Sequence, residues 1–271
     1  MNHKIKVSHE VPIKLLDDSV LFNDYDYCLV HLTEEHEEYK DFYVKSIKRG
    51  REVLLDNSIF ELGEAFDSEK FAKAVEEIKP TYYVVPDVLQ DYHATVDKFM
   101  SFEEDYDDLP GMRIGVVQGK TWTELVNCYQ YMSEAADYVA ISFDYDYYLT
   151  TGYSPESDKL ELWCSGRQRL IQQLIDEGIW NHNKPHHLLG CSLAREFKYY
   201  RNIPSIRSCD TSNPIVAGIK GLRYYGDLGL LTKPSVKLAD LIESELSDQQ
   251  KVDIFHNVTK FKEILGRYED L

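Results

Sequence analysis

Carboxylates and one amide follow short apolar stretches at four separate places in the chain. They are Asp56 in VLLD, Asp87 in YYVVPD, Gln118 in RIGVVQ and Asp210 in SIRSCD. Each alone could serve the structure, because Asp caps a following helix well and a Gln amide can bind loop backbone. Together they would line a cleft suited to a planar ligand with several hydrogen-bond donors and acceptors, since desolvated polar groups need partners.

Eight short apolar stretches position these residues, and helical patterns lie between most of them. The stretches are IKVSHEV (5–11), YCLVHL (27–32), VLLDNS (53–58), YYVVPDV (82–88), RIGVVQG (113–119), YVAISF (138–143), HHLLGCS (186–192) and SIRSCDTS (205–212). Near-continuous apolar strands alternating with amphipathic helices predict a parallel sheet covered by helices. We therefore predict an α/β fold, a (β/α)8 TIM-like barrel, with an open doubly wound sheet as the alternative.

The absence of nucleotide-binding motifs and the pattern of the helices both favour the barrel. No GxGxxG or GxxxxGK[ST] follows any of the strands, which disfavours the usual nucleotide-binding open sheets. SEKFAKAVEEI places Phe71, Val75 and Ile78 on one side of a helix, with Ser68 as the predicted N-cap. SDQQKVDIFHNVTKFKEILGRYEDL predicts an extra C-terminal helix outside the barrel. Residues 1–271 are predicted to form a single domain, whose strand ends share the catalytic face.

Composition favours a globular protein of the cytoplasm. Hydrophobic residues make up 43% of the 271 residues, and no stretch is long and apolar enough for a transmembrane helix or a signal peptide. The five cysteines include no CxxC pair, which argues against both a disulfide framework and a Cys-rich zinc site. We expect no membrane association and a reducing, cytoplasmic location.

Charge is distributed unevenly along the chain. The net charge is −17, yet residues 163–237 hold eleven Lys and Arg against five Asp and Glu, which gives +6 there and −23 elsewhere. Such asymmetry indicates either an anion-binding face or a chance cluster of solvated side chains.

Six of these stretches, in this order, resemble the motifs of the tRNA-guanine transglycosylase superfamily. LLDNSIFELG is similar to DSGGFQ, VVPDVLQD to the segment of the base-recognition acid, and GVVQG to GIVQG. DYVAISF and HHLLGCS resemble GYAIGGL and RYLMGVG, and CDTSNP resembles DCVxPT. The resemblance spans roughly residues 50–218. The short chain is most similar to the compact DNA 7-deazaguanine transglycosylases of phage and bacterial gene clusters.

The resemblance implies base exchange, in which a guanine leaves its sugar and a 7-deazaguanine of the queuosine or archaeosine type replaces it. Asp210 would be the nucleophile on C1′ and Asp56 the general acid and base, on opposite sides of that carbon. The resemblance also implies further substrate-binding residues: Asp87, Gln118 and Ser142 at the base, Phe60 and Leu189 on its two faces, and Gly190.

A nucleic-acid substrate is implied as the partner, with DNA favoured over tRNA. A base inside a duplex would have to be flipped out before the carboxylates reach its sugar. The basic segment would then bind flanking phosphates, and the candidates for these contacts are Arg195, Lys198, Arg201 and Arg207.

The sequence departs from the family at three points. The CxCxxC zinc ligands are absent, so we expect neither metal nor cofactor, and no zinc subdomain. Ile141 and Ser142 replace the paired glycines of IGGL, and Val216 stands where the family has an arginine.

Three other functions stay open at this stage. A barrel glycosidase or nucleoside hydrolase would use the same two carboxylates with water as the acceptor. In a non-catalytic binding module, the acids would only cap helices. His182, His186 and His187 in WNHNKPHH offer a weaker alternative, a histidine metal site.

Overall fold

The computed structural model describes residues 4–226, 228–232, 234 and 236–267. The described residues form eight β-strands. They are β1 (Lys6–Ser8), β2 (Asp26–Leu29), β3 (Val53–Asp56), β4 (Tyr82–Val84), β5 (Met112–Val116), β6 (Tyr138–Ser142), β7 (His186–Leu189) and β8 (Ile206–Asp210). Each strand lies within or overlaps one of the eight apolar stretches.

Helices connect most of these strands. They are α1 (Leu16–Ser19), α2 (Val30–Glu35), α3 (Glu37–Lys48), α4 (Ile59–Leu62), α5 (Ser68–Ile78), α6 (Tyr92–Asp105), α7 (Trp122–Ala135), α8 (Asp146–Thr151), α9 (Lys159–Asp176), α10 (Phe197–Tyr200), α11 (Asn213–Ile219) and α12 (Asp248–Ile264). Short 3-10 helices span Ile13–Leu15, Ala194–Glu196 and Leu238–Leu241.

The strands form one sheet in the order β1-β8-β7-β6-β5-β4-β3-β2. All registered pairs are parallel, for example Leu29 with Asp56 and Ser8 with Asp210. From β2 to β8 sequential strands are neighbours, and the first strand pairs with the last, as in the (β/α)8 TIM-barrel class. The predicted fold class is therefore confirmed.

The described residues group into two compact units. The first unit takes those of Met1–Asp24, Phe143–His182 and His187–Leu271, and the second takes Tyr25–Ser142 and Asn183–His186. The interpretation of the chain as a single domain stays a prediction.

The second unit is a run of parallel strands, β2 to β6, with the helices between them. β2 and β3 are buried throughout, as expected for strands covered on both faces. Helix α5 buries Phe71, Val75 and Ile78 on one side, as its spacing predicts. Its N-cap is Asp67, which accepts from the Lys70 N–H, so the prediction of Ser68 as the cap was wrong by one residue.

The first unit holds β1, β8 and the helices α8 to α12. The predicted C-terminal helix is present as α12, with a capping box between Ser247 and Gln250. Gly218 of α11 lies so close to α12 that an added Cβ would come within 2.5 Å of Ile254. FDYDYYLTTGY (143–153) is rich in Tyr and Asp and follows a strand end, which predicts a mobile active-site loop or an ordinary exposed loop. The segment instead contains α8, and Tyr148 of that helix is fully buried.

Some residues of the predicted basic segment and C-terminal helix lie outside the described residues. These are Asp227 and Lys233 of the basic segment and residues 268–271 of the C-terminal helix candidate. Among the residues that are described, none of the helices combines the length and the apolar composition needed to cross a membrane.

His9 makes the stability of the first unit sensitive to acid. Its ring packs edge-on against Phe22 and Phe261, and Nδ1 lies 2.9 Å from the Asn23 side-chain oxygen. Burial lowers the pKa of His9 to about 4, while the Asn23 hydrogen bond opposes the shift. Between pH 6.5 and 4, His9 therefore binds a proton in the unfolded chain but not in the folded protein.

We expect the free energy of unfolding to fall as the pH decreases through this range, with about 3 kcal/mol of the fall due to His9. Urea denaturation of wild type and His9→Gln at pH 7 and pH 4 measures this contribution. The stability difference between the two proteins should change by that amount, and pH dependences that run in parallel would contradict the assignment.

Candidate active site

Asp210 is a buried carboxylate at the carboxyl end of β8. Its Oδ1 lies 3.0 Å from His187 Nε2. The Gly190 N–H donates to both carboxylate oxygens, with N–O distances of 3.1 and 3.2 Å. The structure thus brings together the predicted nucleophile and the predicted substrate-binding Gly190.

Asp210 does not cap the helix that follows it. Helix α11 begins at Asn213 with Ser212 at the N-cap position, and no side chain accepts a capping hydrogen bond there. The Asn213 N–H is bound instead by the Thr211 hydroxyl, at 3.0 Å. The structural explanation that the sequence offered for Asp210, helix capping, is therefore wrong.

His187 is a functional candidate that the sequence suggested only as a metal ligand. It lies on β7, beside β8 in the sheet, and is fully buried. Its Nδ1 lies 2.8 Å from the Ser208 hydroxyl and its Nε2 faces Asp210. The signal available in the sequence was a pair of histidines inside an otherwise apolar strand, because a buried imidazole needs polar partners.

Gly190 adopts a backbone conformation that would be strained for any other residue. Its φ is +65°, and an added Cβ would come within 2.4 Å of the Phe143 ring. The left-handed backbone turns the chain at the end of β7 while the Gly190 N–H faces Asp210. Leu189, the predicted stacking residue before it, is half-buried.

A buried ion pair secures the carbonyl groups of this turn. Arg167 of α9 donates to the Leu189 and Gly190 carbonyl oxygens, at 3.0 and 3.1 Å. The same guanidinium forms two hydrogen bonds with the Glu196 carboxylate, at 2.6 and 3.0 Å. Tyr200 donates to Glu196 as well, at 2.6 Å. Both charged side chains are fully buried, so the turn that faces Asp210 is held by a closed polar network.

The predicted base-recognition residues meet in the second unit. Gln118 Nε2 donates to one Asp87 oxygen at 2.7 Å, and Asn57 Nδ2 donates to the other at 2.7 Å. Gln118 Oε1 accepts from the Gln90 N–H at 2.8 Å. Burial raises the pKa of Asp87, and the hydrogen bonds from Gln118 and Asn57 oppose that shift. Asn57 is a partner that the sequence analysis did not assign to this network.

Asp56, Phe60 and Ser142 also belong to the second unit. Asp56 is buried at the end of β3, and its Oδ2 accepts from the Ser58 N–H at 2.7 Å. Phe60 in α4 is 43% exposed, so it is not a core residue. Ser142 is the half-buried last residue of β6. That Asp56 and Asp210 flank one sugar carbon stays a prediction.

The four basic candidates differ in how strongly the fold engages them. Arg201 donates to the Glu263 and Ile264 carbonyl oxygens at the end of α12, both at 2.8 Å. Arg195 forms an ion pair with Glu161. Lys198 is half-buried on α10, and Arg207 is exposed on β8. Phosphate contact stays a prediction for all four.

The histidines of WNHNKPHH have different surroundings. His186 lies 2.8 Å from the Tyr129 hydroxyl, His187 binds Ser208 and Asp210, and His182 is exposed. Within the described ranges, no group of three or more His, Cys, Asp or Glu side chains could hold a metal ion.

The comparisons with protein families and with curated proteins assign no function to this site. No protein-family model matches the chain, and no curated protein matches it either. The similarity to tRNA-guanine transglycosylases therefore stays a prediction from the motifs.

Proposed function

We propose that the protein is a nucleic-acid guanine transglycosylase that replaces guanine with a 7-deazaguanine, with DNA favoured over tRNA. The observation that carries the proposal is the environment of the Asp210 side chain. This buried carboxylate ends a strand, caps no helix, and is held by a histidine and a backbone N–H. A carboxylate fixed in this way is suited to attack on an electrophilic sugar carbon.

The proposed reaction consists of two displacements. An Asp210 oxygen bonds to C1′ as the bond from C1′ to the guanine nitrogen breaks, and the bonding electron pair leaves with the base. Asp56 donates a proton to the departing base and then accepts one from the incoming 7-deazaguanine. The incoming base nitrogen bonds to C1′ and releases the Asp210 carboxylate, so the anomeric configuration is retained.

Base recognition is assigned to Asp87 and Gln118. The Asp87 carboxylate keeps acceptor capacity beyond its bonds to Gln118 and Asn57, because each oxygen has two lone pairs. It can therefore accept from the N1–H and exocyclic amine of guanine. Ser142 and Gly190 complete the proposed contacts. Phe60 is exposed enough to stack on a base, with Leu189 proposed for the other face.

Nucleic acid is the proposed partner because positive charge is concentrated in residues 163–237. Arg207 is the strongest candidate for a phosphate contact because it is exposed, whereas Arg201 and Arg195 already bind other groups of the protein. Lys198 is a further candidate. A duplex substrate would have to present its target base flipped out. The five buried thiols support a reducing, cytoplasmic location.

Nucleoside mass analysis tests the proposal directly. The protein is incubated with duplex DNA, single-stranded DNA or tRNA, together with isotope-labelled guanine or a 7-deazaguanine, and the nucleic acid is digested. We expect labelled or deaza nucleosides, most abundantly in DNA. Abasic sites without base incorporation would indicate the glycoside hydrolase instead. Salt-sensitive binding with neither product would indicate the binding module and overturn the proposal.

A further inference from the structure

A chain of hydrogen bonds leads through His187 to Asp210. The Ser208 hydroxyl lies 2.8 Å from His187 Nδ1, and His187 Nε2 lies 3.0 Å from Asp210 Oδ1. Ser208 and Asp210 are two residues apart on β8, so their side chains point to the same face of the sheet. His187 lies on the neighbouring strand and is fully buried.

Asp210 has few other partners. Among the described residues, its carboxylate accepts hydrogen bonds only from His187 and the Gly190 N–H, and no Lys or Arg forms an ion pair with it. A guanidinium or ammonium partner would neutralise the carboxylate and weaken it as a nucleophile. A hydrogen bond from an imidazole N–H instead fixes the carboxylate in place.

The hydrogen-bond partners require a proton on Nε2 of the ring. A hydroxyl can donate to an imidazole nitrogen, whereas a carboxylate can only accept. If Ser208 donates to Nδ1, the proton of neutral His187 lies on Nε2 and points at Asp210. The opposite tautomer would set the Nε2 lone pair against the carboxylate lone pairs.

We infer that His187 is the residue that positions the nucleophile Asp210, through the proton on its Nε2 while Ser208 binds its Nδ1. The inference rests on the proposed function. His187 holds Oδ1 and the Gly190 N–H fixes the plane of the carboxylate, so lone pairs of Oδ2 remain for attack on C1′. His187 acts through Asp210 and contacts neither the base nor the sugar.

The same three side chains allow a rival interpretation, a Ser-His-Asp triad with Ser208 as the nucleophile. The strand positions disfavour it. Asp210 is the last residue of β8, where catalytic groups of parallel barrels lie, whereas Ser208 is two residues further inside the strand and pairs with Lys6.

Exchange kinetics of three variants separate these roles. We expect His187→Leu to lower kcat for base exchange by about 100-fold, because a misplaced nucleophile misses the reactive geometry. KM for the base should stay unchanged. His187→Gln should recover most of the loss, since its amide can donate to Asp210. Ser208→Ala should keep most of the activity, and its complete inactivation would overturn the inference in favour of the triad.

His186→Gln is the matched control, because His186 is the adjacent residue and binds Tyr129 rather than Asp210. Its kcat should equal that of wild type. An active wild type with an equally active His187→Leu variant would overturn the role of His187 and leave the proposed function intact.

Side-chain ¹⁵N NMR of the histidines tests the inference even where a variant fails to fold or wild type exchanges no base. With wild-type protein at neutral pH, we expect the His187 signals of a ring protonated on Nε2. A ring protonated only on Nδ1 would overturn the inference. Absence of exchange in wild type, with the expected tautomer present, would overturn only the proposed function.

Discussion

Asp210→Asn is expected to reduce base exchange on the order of 10⁴-fold or more while the protein stays folded. An amide cannot form the glycosyl ester, so the double displacement loses its first step, and removal of an enzyme's nucleophile has effects of this size. Asn keeps the shape of Asp and can still accept from His187 and from the Gly190 N–H. Single-turnover incorporation of labelled guanine, together with thermal unfolding, measures both properties.

Asp176→Asn serves as the matched control. Asp176 is an exposed acid at the end of α9, in the same unit as Asp210. Its variant should exchange at the wild-type rate. A covalent complex of protein and nucleic acid should accumulate with wild type when the incoming base is withheld, and not with Asp210→Asn. Exchange by Asp210→Asn at the normal rate would remove this residue from the mechanism.

Arg167→Met is expected to destabilise the protein by about 3–5 kcal/mol, the largest effect on stability that we expect. The substitution leaves the Glu196 carboxylate buried without its cation, and such a charge is costly in the interior. It also removes the donor from the Leu189 and Gly190 carbonyl groups. Urea denaturation at neutral pH measures the loss as a lower midpoint with an unchanged slope.

Two further variants test the cause of this loss. Arg169→Met, two residues away on the exposed side of α9, should lower stability by no more than about 1 kcal/mol, because it loses only one exposed hydrogen bond, to the Thr151 carbonyl oxygen. Adding Glu196→Gln to Arg167→Met should restore part of the stability, because no unpaired charge then remains buried. If the double variant is instead as unstable as the sum of both single variants, the loss does not arise from the ion pair.

The strands were predictable because an apolar stretch between polar residues is a local feature. All eight occur where the apolar stretches predict them. Their ends were less predictable. In VLLDNS the strand stops at Asp56, where the side chain binds the Ser58 N–H and Ser58 takes a left-handed conformation. In YCLVHL the strand stops at Leu29, because α2 begins at Val30.

Residues 143–153 show why polar composition alone does not predict a loop. Its Tyr and Asp residues predict an exposed loop, yet Tyr145 and Tyr148 are buried and α8 packs closely on α9. Gly166 allows this contact, since an added Cβ would come within 2.3 Å of Tyr148. Burial of a tyrosine depends on what packs against it, which its own sequence neighbours do not determine.

By itself, the sequence determined the (β/α)8 class of the fold and the placement of Asp56, Asp87, Gln118 and Asp210 at or just beyond strand ends. Both follow from hydrophobic patterns within a few residues. Only the tertiary structure decided which groups these acids bind and which arginine is buried. Asp210 meets His187 and Gly190 across 23 and 20 residues of chain, and Arg167 meets Glu196 across 29. Hydrogen bonds over such separations depend on strand register and helix packing, which no local pattern encodes.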